Sequence, residues 1–160
     1  MAYRGRRDKG RVLSGALIAI GVVLLDRVVK LWAAGPLKET GSIPVIKNVF
    51  HLTYVENRGA AFSMLAGHRW LLIGIAAVTV TAIIYAFCSR MYAHTLTDIS
   101  FPLVVGGAAG NLWDRVTLGY VVDLFDFRLI NFAVFNVADV AITCAAGLLM
   151  LYVILTAKNG

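Results

Sequence analysis

The chain has 160 residues, of which 59% are apolar and only 15% are charged, and its mean hydropathy is +0.78. Because soluble domains carry about a quarter charged residues, this chain has too little charge to cover a water-exposed surface. The composition excludes a disordered chain, a disulfide-stapled secreted domain and most classes of nucleic-acid binder. Five of the fifteen basic residues stand in the first eleven positions, namely Arg4, Arg6, Arg7, Lys9 and Arg11. Such a cluster beside an apolar segment is typical of the cytoplasmic end of a membrane span.

Four segments in chain order are apolar enough to form membrane helices. The first follows the basic cluster, the second contains no charge, the third is rich in glycine and alanine, and the fourth is interrupted only by Asp139. A helix needs about 20 residues to cross a hydrocarbon core of about 30 Å, and small residues allow helices to pack closely. We therefore predict an all-α membrane protein with a single domain, residues 1–160, built as a four-helix bundle. The predicted helices span about 12–34, 70–89, 99–116 and 135–157.

The basic start and the apolar run of the first segment are also features of a cleaved signal peptide. Asp26, Arg27 and Lys30 precede any cleavage site, however, and Trp32 would stand three residues before a cut after Ala34, where a small residue is needed. We therefore expect a retained helix. With four spans both termini lie on one side of the membrane, and the basic tail indicates the cytoplasmic side.

The segment between the first two helices, about 35–69, is long and not polar. Two runs, 43–46 and 49–55, are rich in β-branched and aromatic residues, and turn residues such as Lys47 and Asn48 flank them. This pattern predicts a small extracytoplasmic β-sheet subdomain in the first outer loop, lying on the membrane surface.

Polar side chains from distant parts of the chain fall at one depth of the predicted bundle. Asp26 lies late in the first helix, Asp114 and Arg115 lie at the outer end of the third, and Asn136 and Asp139 lie in the first turns of the fourth. A charge inside a membrane helix costs about 2.5–3.5 kcal/mol on insertion scales. Interfacial snorkelling and helix capping explain single residues, and Asp114 with Arg115 fits a local ion pair. They explain the whole layer poorly, because the inner face has almost no acids.

A layer of carboxylates at one depth suggests proton-transfer chemistry. Two close carboxylates share one proton, because both cannot ionise cheaply. The ionised member can take a proton from water while the protonated member donates to the carbonyl oxygen of an amide, as in aspartic peptidases. Asp139 is the first candidate, since it is the only charge in a 29-residue apolar run, and Asn136 lies on the same helix face. Spacing does not choose the second acid among Asp114, Asp123 and Asp126.

Other site chemistries have little support in the sequence. The histidines His51, His68 and His94 are scattered without metal-ligand spacing, so we expect no metal and no cofactor. No serine stands in a GxSxG context. Cys88 and Cys144 lie in apolar stretches, which favours free, buried thiols over a disulfide.

Two alternatives to a peptidase remain open at the level of residue types. In a proton-coupled transporter, Asp139 and Asp26 would relay protons, and in a membrane scaffold the acids would hold helices together. Transporters of this kind usually place their acids near the midplane and often contain inverted repeats, whereas these acids lie near one face and no repeat is visible.

Four motifs resemble those of the signal peptidase II (lipoprotein signal peptidase) family. In chain order they are Leu25–Lys30 (D-x-x-x-K), Glu56–Ser63 (N-x-G-A-x-F), Gly106–Asp123 (GGAxGNxxDR…G-x-V-x-D) and Phe135–Asp139 (FNxAD). The match spans nearly the whole chain outside the basic tail, and no motif position departs from the pattern. Each motif alone is weak, but four in the same order on a chain of this length are specific.

The resemblance implies an aspartic endopeptidase of the bacterial inner membrane that cuts prolipoproteins just before the diacylglyceryl-modified cysteine. It makes Asp123 and Asp139 the catalytic dyad, near the extracytoplasmic face, with both termini cytoplasmic. It implies that five further side chains hold the acids and the substrate backbone: Asp26, Asn57, Asn111, Arg115 and Asn136. The expected partners are lipid-modified prolipoproteins and membrane lipids, without nucleic acid, and we expect a monomer.

Overall fold

The computed structural model describes residues 2–60, 64–130 and 132–157, with side chains from residue 9 onward. Its long helices are α1 (Ala2–Trp32), α3 (Arg69–Cys88), α4 (Thr95–Thr117) and α5 (Val137–Ala157), and α2 (Lys38–Thr40) is a single turn. The strands are β1 (Ser42–Ile46), β2 (Phe50–Asn57) and β3 (Val121–Phe127). Three motif positions, Ala61, Phe62 and Ser63, and the side chains of Arg4, Arg6 and Arg7 lie outside the described residues.

Within these ranges, three helical stretches are long and apolar enough to span a membrane: Lys9–Thr40, Arg69–Cys88 and Val137–Ala157. Their outer faces carry exposed apolar side chains, such as Leu24 (59% exposed), Val78 (71%) and Met150 (66%). Side chains of this kind favour a lipid surround over water. The prediction of a mostly helical membrane protein is confirmed. The fourth span stays a prediction, because α4 is not among the three.

The helix bounds differ from the predicted ones where polar residues form or cap helices. α1 begins at Ala2 instead of residue 12, because arginine and lysine are good helix formers even where hydropathy is low. α4 begins at Thr95 instead of residue 99, since His94 and Thr97 form a capping box in front of it. The predicted start of the last helix at 135 is also wrong, because Asn136 stands before the first helical residue.

The central helix of the bundle is α4, which packs against α1, α3 and α5. Glycines permit close approach on two of its sides. A Cβ atom on Gly106 would lie 2.7 Å from the carbonyl oxygen of Ala19 in α1, and one on Gly107 would lie 2.5 Å from that of Ala138 in α5. The glycines of α4 therefore allow the close helix packing that the sequence predicts for this segment.

The sheet is antiparallel in the order β1-β2-β3, so it is not confined to the loop before α3. β1 and β2 are joined by a turn in which Asn48 has a left-handed backbone, as the predicted turn requires. β3 follows α4 and pairs with β2, placing Val55 opposite Asp123. The prediction missed β3 because its mixture of apolar residues and two acids resembles a surface loop. Buried Val122 and Leu124 of this strand pack with Ala33 and Leu37.

The π-helical turn Ala33–Leu37 continues α1 beyond the predicted end at residue 34. This extension is the part of α1 on which the sheet rests. At the other end of β3, Gly119 adopts a positive φ of 88° in the turn that leads from α4 into the strand, a conformation that glycine adopts without strain. The sheet is thereby fixed beside the ends of α1 and α4.

Candidate active site

A buried polar cluster lies where the second half of α1, the end of α4, the start of α5 and strand β3 meet. It contains the residues that the sequence places at one depth, together with one lysine. Buried charges and amides are costly unless they are paired, and each of these side chains has a polar partner. The buried members are Asp26, Lys30, Asn111, Asp114, Asp123 and Asn136.

Asp139 is held by the hydrogen bonds that begin α5. The Asn136 side-chain oxygen accepts from the backbone N–H of Asp139 (3.0 Å), and Asp139 Oδ2 accepts from the backbone N–H of Asn136 (3.2 Å). This reciprocal pair is a capping box. Asn111 Nδ2 donates to the other oxygen, Asp139 Oδ1, at 2.8 Å. Asn136 thus orients the Asp139 carboxylate from the cap position, not from a shared helix face.

Asp123 lies on β3, is only 1% exposed, and also contacts Asn136. Its Oδ1 accepts from Asn136 Nδ2 at 2.6 Å, and its Oδ2 accepts from Asn57 Nδ2 at 2.9 Å. Burial raises the pKa of Asp123 to about 7, the two amide donors oppose this rise, and the nearby charge of Asp139 adds to it. A carboxyl group with this pKa can hold or release a proton near neutral pH.

Both acids line one cavity of about 540 Å³. Its other polar lining residues include Asn57, Asn111, Arg115 and Thr143. The remaining wall is mostly apolar and includes Val121, Phe132, Phe135, Val140 and Ile142. A cavity with two carboxylates at one end and an apolar wall suits a membrane-borne substrate whose reacting bond is polar.

The predicted ion pair between Asp114 and Arg115 is wrong. Asp114 binds Arg27 and, at 3.0 Å, Lys30 Nζ, both from α1. Arg115 instead donates to the carbonyl oxygen of Gly59 at 2.9 Å. Neighbouring residues on a helix point in different directions and do not face each other. Arg115 therefore connects α4 to the loop at the edge of the cavity.

Asp26 links α1 to the start of α5. Its Oδ1 accepts from the backbone N–H of Ala138 at 3.0 Å, and its Oδ2 lies 2.8 Å from Lys30 Nζ. The N-terminus of a helix attracts negative charge, so this carboxylate stabilises the first turn of α5. The approach requires Gly110, because a Cβ atom there would lie 2.7 Å from Asp26 Oδ2.

Asp126, the remaining candidate for the second acid, does not line the cavity. Its Oδ2 accepts from Thr53 Oγ1 at 2.7 Å and from Arg128 Nε at 2.8 Å. Although burial acts in the opposite direction, these bonds hold the pKa of Asp126 below its usual value. Of the three acids that spacing left open, only Asp123 lines the cavity with Asp139.

Lys30 ends the D-x-x-x-K motif and lies inside an apolar segment, but no role was predicted for it. The signal that could have found it is its position four residues after Asp26, which puts the two side chains on one helix face. The thiol prediction is wrong in one respect: Cys88 and Cys144 are free but exposed on helix surfaces, and Cys144 lines the cavity. Among the described residues, no three potential metal ligands cluster.

Comparisons with known proteins agree with the sequence motifs. A family model described as signal peptidase (SPase) II matches residues 18–155. A lipoprotein signal peptidase from Halothermothrix orenii is 47% identical over 137 residues, covering 85% of this chain and 92% of its own length. Another from Clostridioides difficile is 44% identical over 138 residues, covering 86% and 93%.

Two solved structures have the same fold. Both are described as bacterial membrane enzymes obtained by the in meso method. The first has a TM-score of 0.85 at 30% identity and covers 91% of this chain and 90% of its own. The second has a TM-score of 0.77 at 31% identity and covers 86% and 90%.

The fold and these matches define a bacterial membrane enzyme of the aspartic peptidase class. The chain belongs to the signal peptidase II family, whose members cleave the signal peptides of prolipoproteins. The individual catalytic roles of its residues stay predictions at this point.

Proposed function

We propose that Asp123 and Asp139 form the catalytic dyad with which this chain removes the signal peptide from diacylglyceryl-modified prolipoproteins, cutting just before the lipidated cysteine. One observation carries the proposal. Asn136 donates to both acids, through its side chain to Asp123 (2.6 Å) and through its backbone to Asp139 (3.2 Å), and both acids line the same cavity. One residue thus holds two carboxyl groups from distant parts of the chain beside the space for substrate.

The surroundings of the two acids support different roles for them. Asp139 is only partly buried, and each of its oxygens accepts an N–H hydrogen bond, as does each oxygen of Asp123, so burial is what distinguishes the two acids. Asp123 is almost fully buried, and burial raises its pKa to about 7. The shared proton therefore rests on Asp123, which is the general acid, and Asp139 is the general base.

The reaction consumes one water and restores the dyad. Asp139 takes a proton from the water while the water oxygen attacks the scissile carbonyl carbon. At the same time Asp123 donates its proton to the carbonyl oxygen. The C–N bond then breaks as Asp139 gives its proton to the departing nitrogen of the cysteine. The former carbonyl oxygen, now a hydroxyl group, returns its proton to Asp123 as the new carboxyl group of the product forms. Neither a metal nor a covalent intermediate is needed.

The other predicted site residues support the dyad and the edge of the cavity. Asn57 and Asn111 each donate to one acid, and Asp26 stabilises the start of the helix that carries Asp139. Arg115 holds the carbonyl oxygen of Gly59 and so fixes the loop beside the cavity. The substrate backbone lies between this loop and the acids, with the apolar wall toward the lipid.

The proposed topology has four spans with both termini in the cytoplasm and the dyad near the extracytoplasmic face. Arg11, near the basic start of α1, pairs with Asp98 in the first turn of α4, so both helices begin at the same end of the bundle. The dyad lies at the opposite end, beside Asp26 and Asn111. We also propose that the enzyme acts as a monomer, since the dyad and its described polar partners all belong to one chain.

The test is single replacement of each acid by its isosteric amide. Asp123→Asn and Asp139→Asn are assayed on a diacylglyceryl-modified precursor in lipid or detergent, with Asp126→Asn as a matched control on the same strand. We expect kcat to fall by roughly 10²–10⁴-fold in the first two, the usual contribution of a general acid or base, while Asp126→Asn keeps most activity. Melting curves verify folding. Full activity in either folded dyad variant would overturn the proposal.

A further inference from the structure

Lys30 is a buried cation whose contacts reach the dyad through one amide. It is 1% exposed, and its ammonium lies 2.8 Å from Asp26 Oδ2, 2.9 Å from Asn111 Oδ1 and 3.0 Å from Asp114 Oδ2. The contact with Asn111 Oδ1 is a hydrogen bond, and those with Asp26 Oδ2 and Asp114 Oδ2 are ion pairs. Two of the partners are acids, but the third is the neutral residue that donates to Asp139.

The contacts of Asn111 permit only one orientation of its amide. Its Oδ1 accepts from Lys30 Nζ (2.9 Å) and from Asn136 Nδ2 (3.1 Å), and its Nδ2 donates to Asp139 Oδ1 (2.8 Å). A flipped amide would place its NH2 against two donors and its oxygen against a carboxylate. Three favourable contacts would become repulsive, and buried polar groups without partners are costly.

Asn136 does not depend on Lys30 in the same way. Its side-chain oxygen caps α5 through the N–H of Asp139, and its Nδ2 also donates to Asp123. The orientation of Asn136 is therefore set by the helix start. Removing the ammonium would take away one of the two donors to Asn111 Oδ1, so the change would affect the amide that contacts Asp139 more than the contacts of Asp123.

We propose that Lys30 is a positioning residue for the reaction, and that its ammonium fixes the Asn111 amide so that the NH2 group faces Asp139. This inference rests on the proposed function of the dyad. Lys30 does not line the cavity and acts through Asn111. Its two acidic partners hold the ammonium in place and balance its charge.

The main experiment separates positioning from charge balance. Lys30→Met alone would leave Asp26 and Asp114 with one cation fewer, so it is combined with Asp26→Asn and compared with Asp26→Asn alone. If Lys30 positions Asn111, the double variant has a kcat roughly 10–100-fold below the single variant, as small misplacements of a reacting group produce. Its KM stays within about twofold, since the change affects catalysis and not substrate binding.

Arg27→Gln is the matched control, because Arg27 also pairs with Asp114 from α1 but does not bond to Asn111. We expect its kcat to stay within about threefold of the parent enzyme. If the double variant Lys30→Met/Asp26→Asn does not fold, the other acidic partner is used instead. The double variant Lys30→Met/Asp114→Asn is then compared with Asp114→Asn alone.

The outcomes distinguish the two proposals. Equal kcat values for the double variant and its single reference would show that Lys30 only balances charge, and would overturn the positioning role. A loss in Arg27→Gln as large as that in the double variant would overturn it as well. If Asp123→Asn and Asp139→Asn are inactive in the same assay, the dyad stands whatever Lys30 does. If they are active, the proposed function itself fails.

Discussion

Replacing Asn57 by alanine should move the alkaline limb of the pH profile upward. Asn57 Nδ2 donates to Asp123 Oδ2 at 2.9 Å and thereby favours the ionised form of this carboxyl group. Without the donor, Asp123 holds its proton to higher pH. A hydrogen bond to a charged group contributes about 1.5–3 kcal/mol, and one pKa unit corresponds to about 1.4 kcal/mol. Since Asn57 is only partly buried and water can replace it in part, we expect the low end of this range.

The direction of the shift follows from the role of Asp123 as the acid. Its pKa of about 7 means that kcat/KM is highest below this value and falls about tenfold per pH unit above it. In Asn57→Ala the limb should lie about one unit higher. At a pH above the alkaline limbs of both enzymes, Asn57→Ala therefore keeps a larger fraction of its maximal kcat/KM than the parent enzyme keeps of its own.

The assay is kcat/KM for a diacylglyceryl-modified precursor in mixed micelles, measured across both limbs. Thr53→Ala is the control, because Thr53 lies on the same strand and donates to Asp126 at 2.7 Å without contacting the dyad. Its limb should not move. The reasoning is refuted if the alkaline limb of Asn57→Ala stays in place or moves to lower pH. It is also refuted if the alkaline limb of Thr53→Ala moves as far as that of Asn57→Ala.

Two further predictions concern packing and cofactors. Gly110→Ala places a Cβ atom 2.7 Å from Asp26 Oδ2, so it should reduce the free energy of unfolding by about 1–3 kcal/mol and lower the melting temperature in detergent. Gly74→Ala, whose Cβ would meet nothing within 4 Å, should leave the melting temperature unchanged, and equal melting of the two variants would contradict the packing argument. The dyad mechanism also predicts that chelators do not reduce kcat, and a loss reversed by added metal would count against it.

The sequence predicts the long helices and the grouping of the polar side chains well, because both follow from hydropathy and chain direction. It does not predict the sheet completely. The two strands before α3 have recognisable β-branched runs, but β3 becomes a strand through its pairing with β2, at a separation of more than sixty residues along the chain. Such long-range pairing leaves no local pattern beyond an apolar stretch.

The choice of the second acid shows the same limit. Asp123 and Asp126 are three residues apart, so on a strand they point to opposite faces. That difference separates them only once the segment is known to be a strand, and residue spacing had not established this. The family motif selects Asp123, and the cavity that it shares with Asp139 supports the selection.

Charge partners were the least predictable feature of the site. Neighbours in sequence suggested that Asp114 pairs with Arg115, whereas Asp114 binds Arg27 and Lys30 from another helix. Both pairings are equally compatible with composition. Only the packing of α1 against α4, made possible by glycines between them, determines which cation lies within reach.

The capping box at the start of α5 ties the shape of the protein to its reactivity. The third residue of that helix, Asp139, is both the partner of its cap and the proposed base. Anyone transplanting this site into a designed scaffold would have to move the first helical turn as a unit, since an aspartate grafted further along a helix would bring the charge without the geometry.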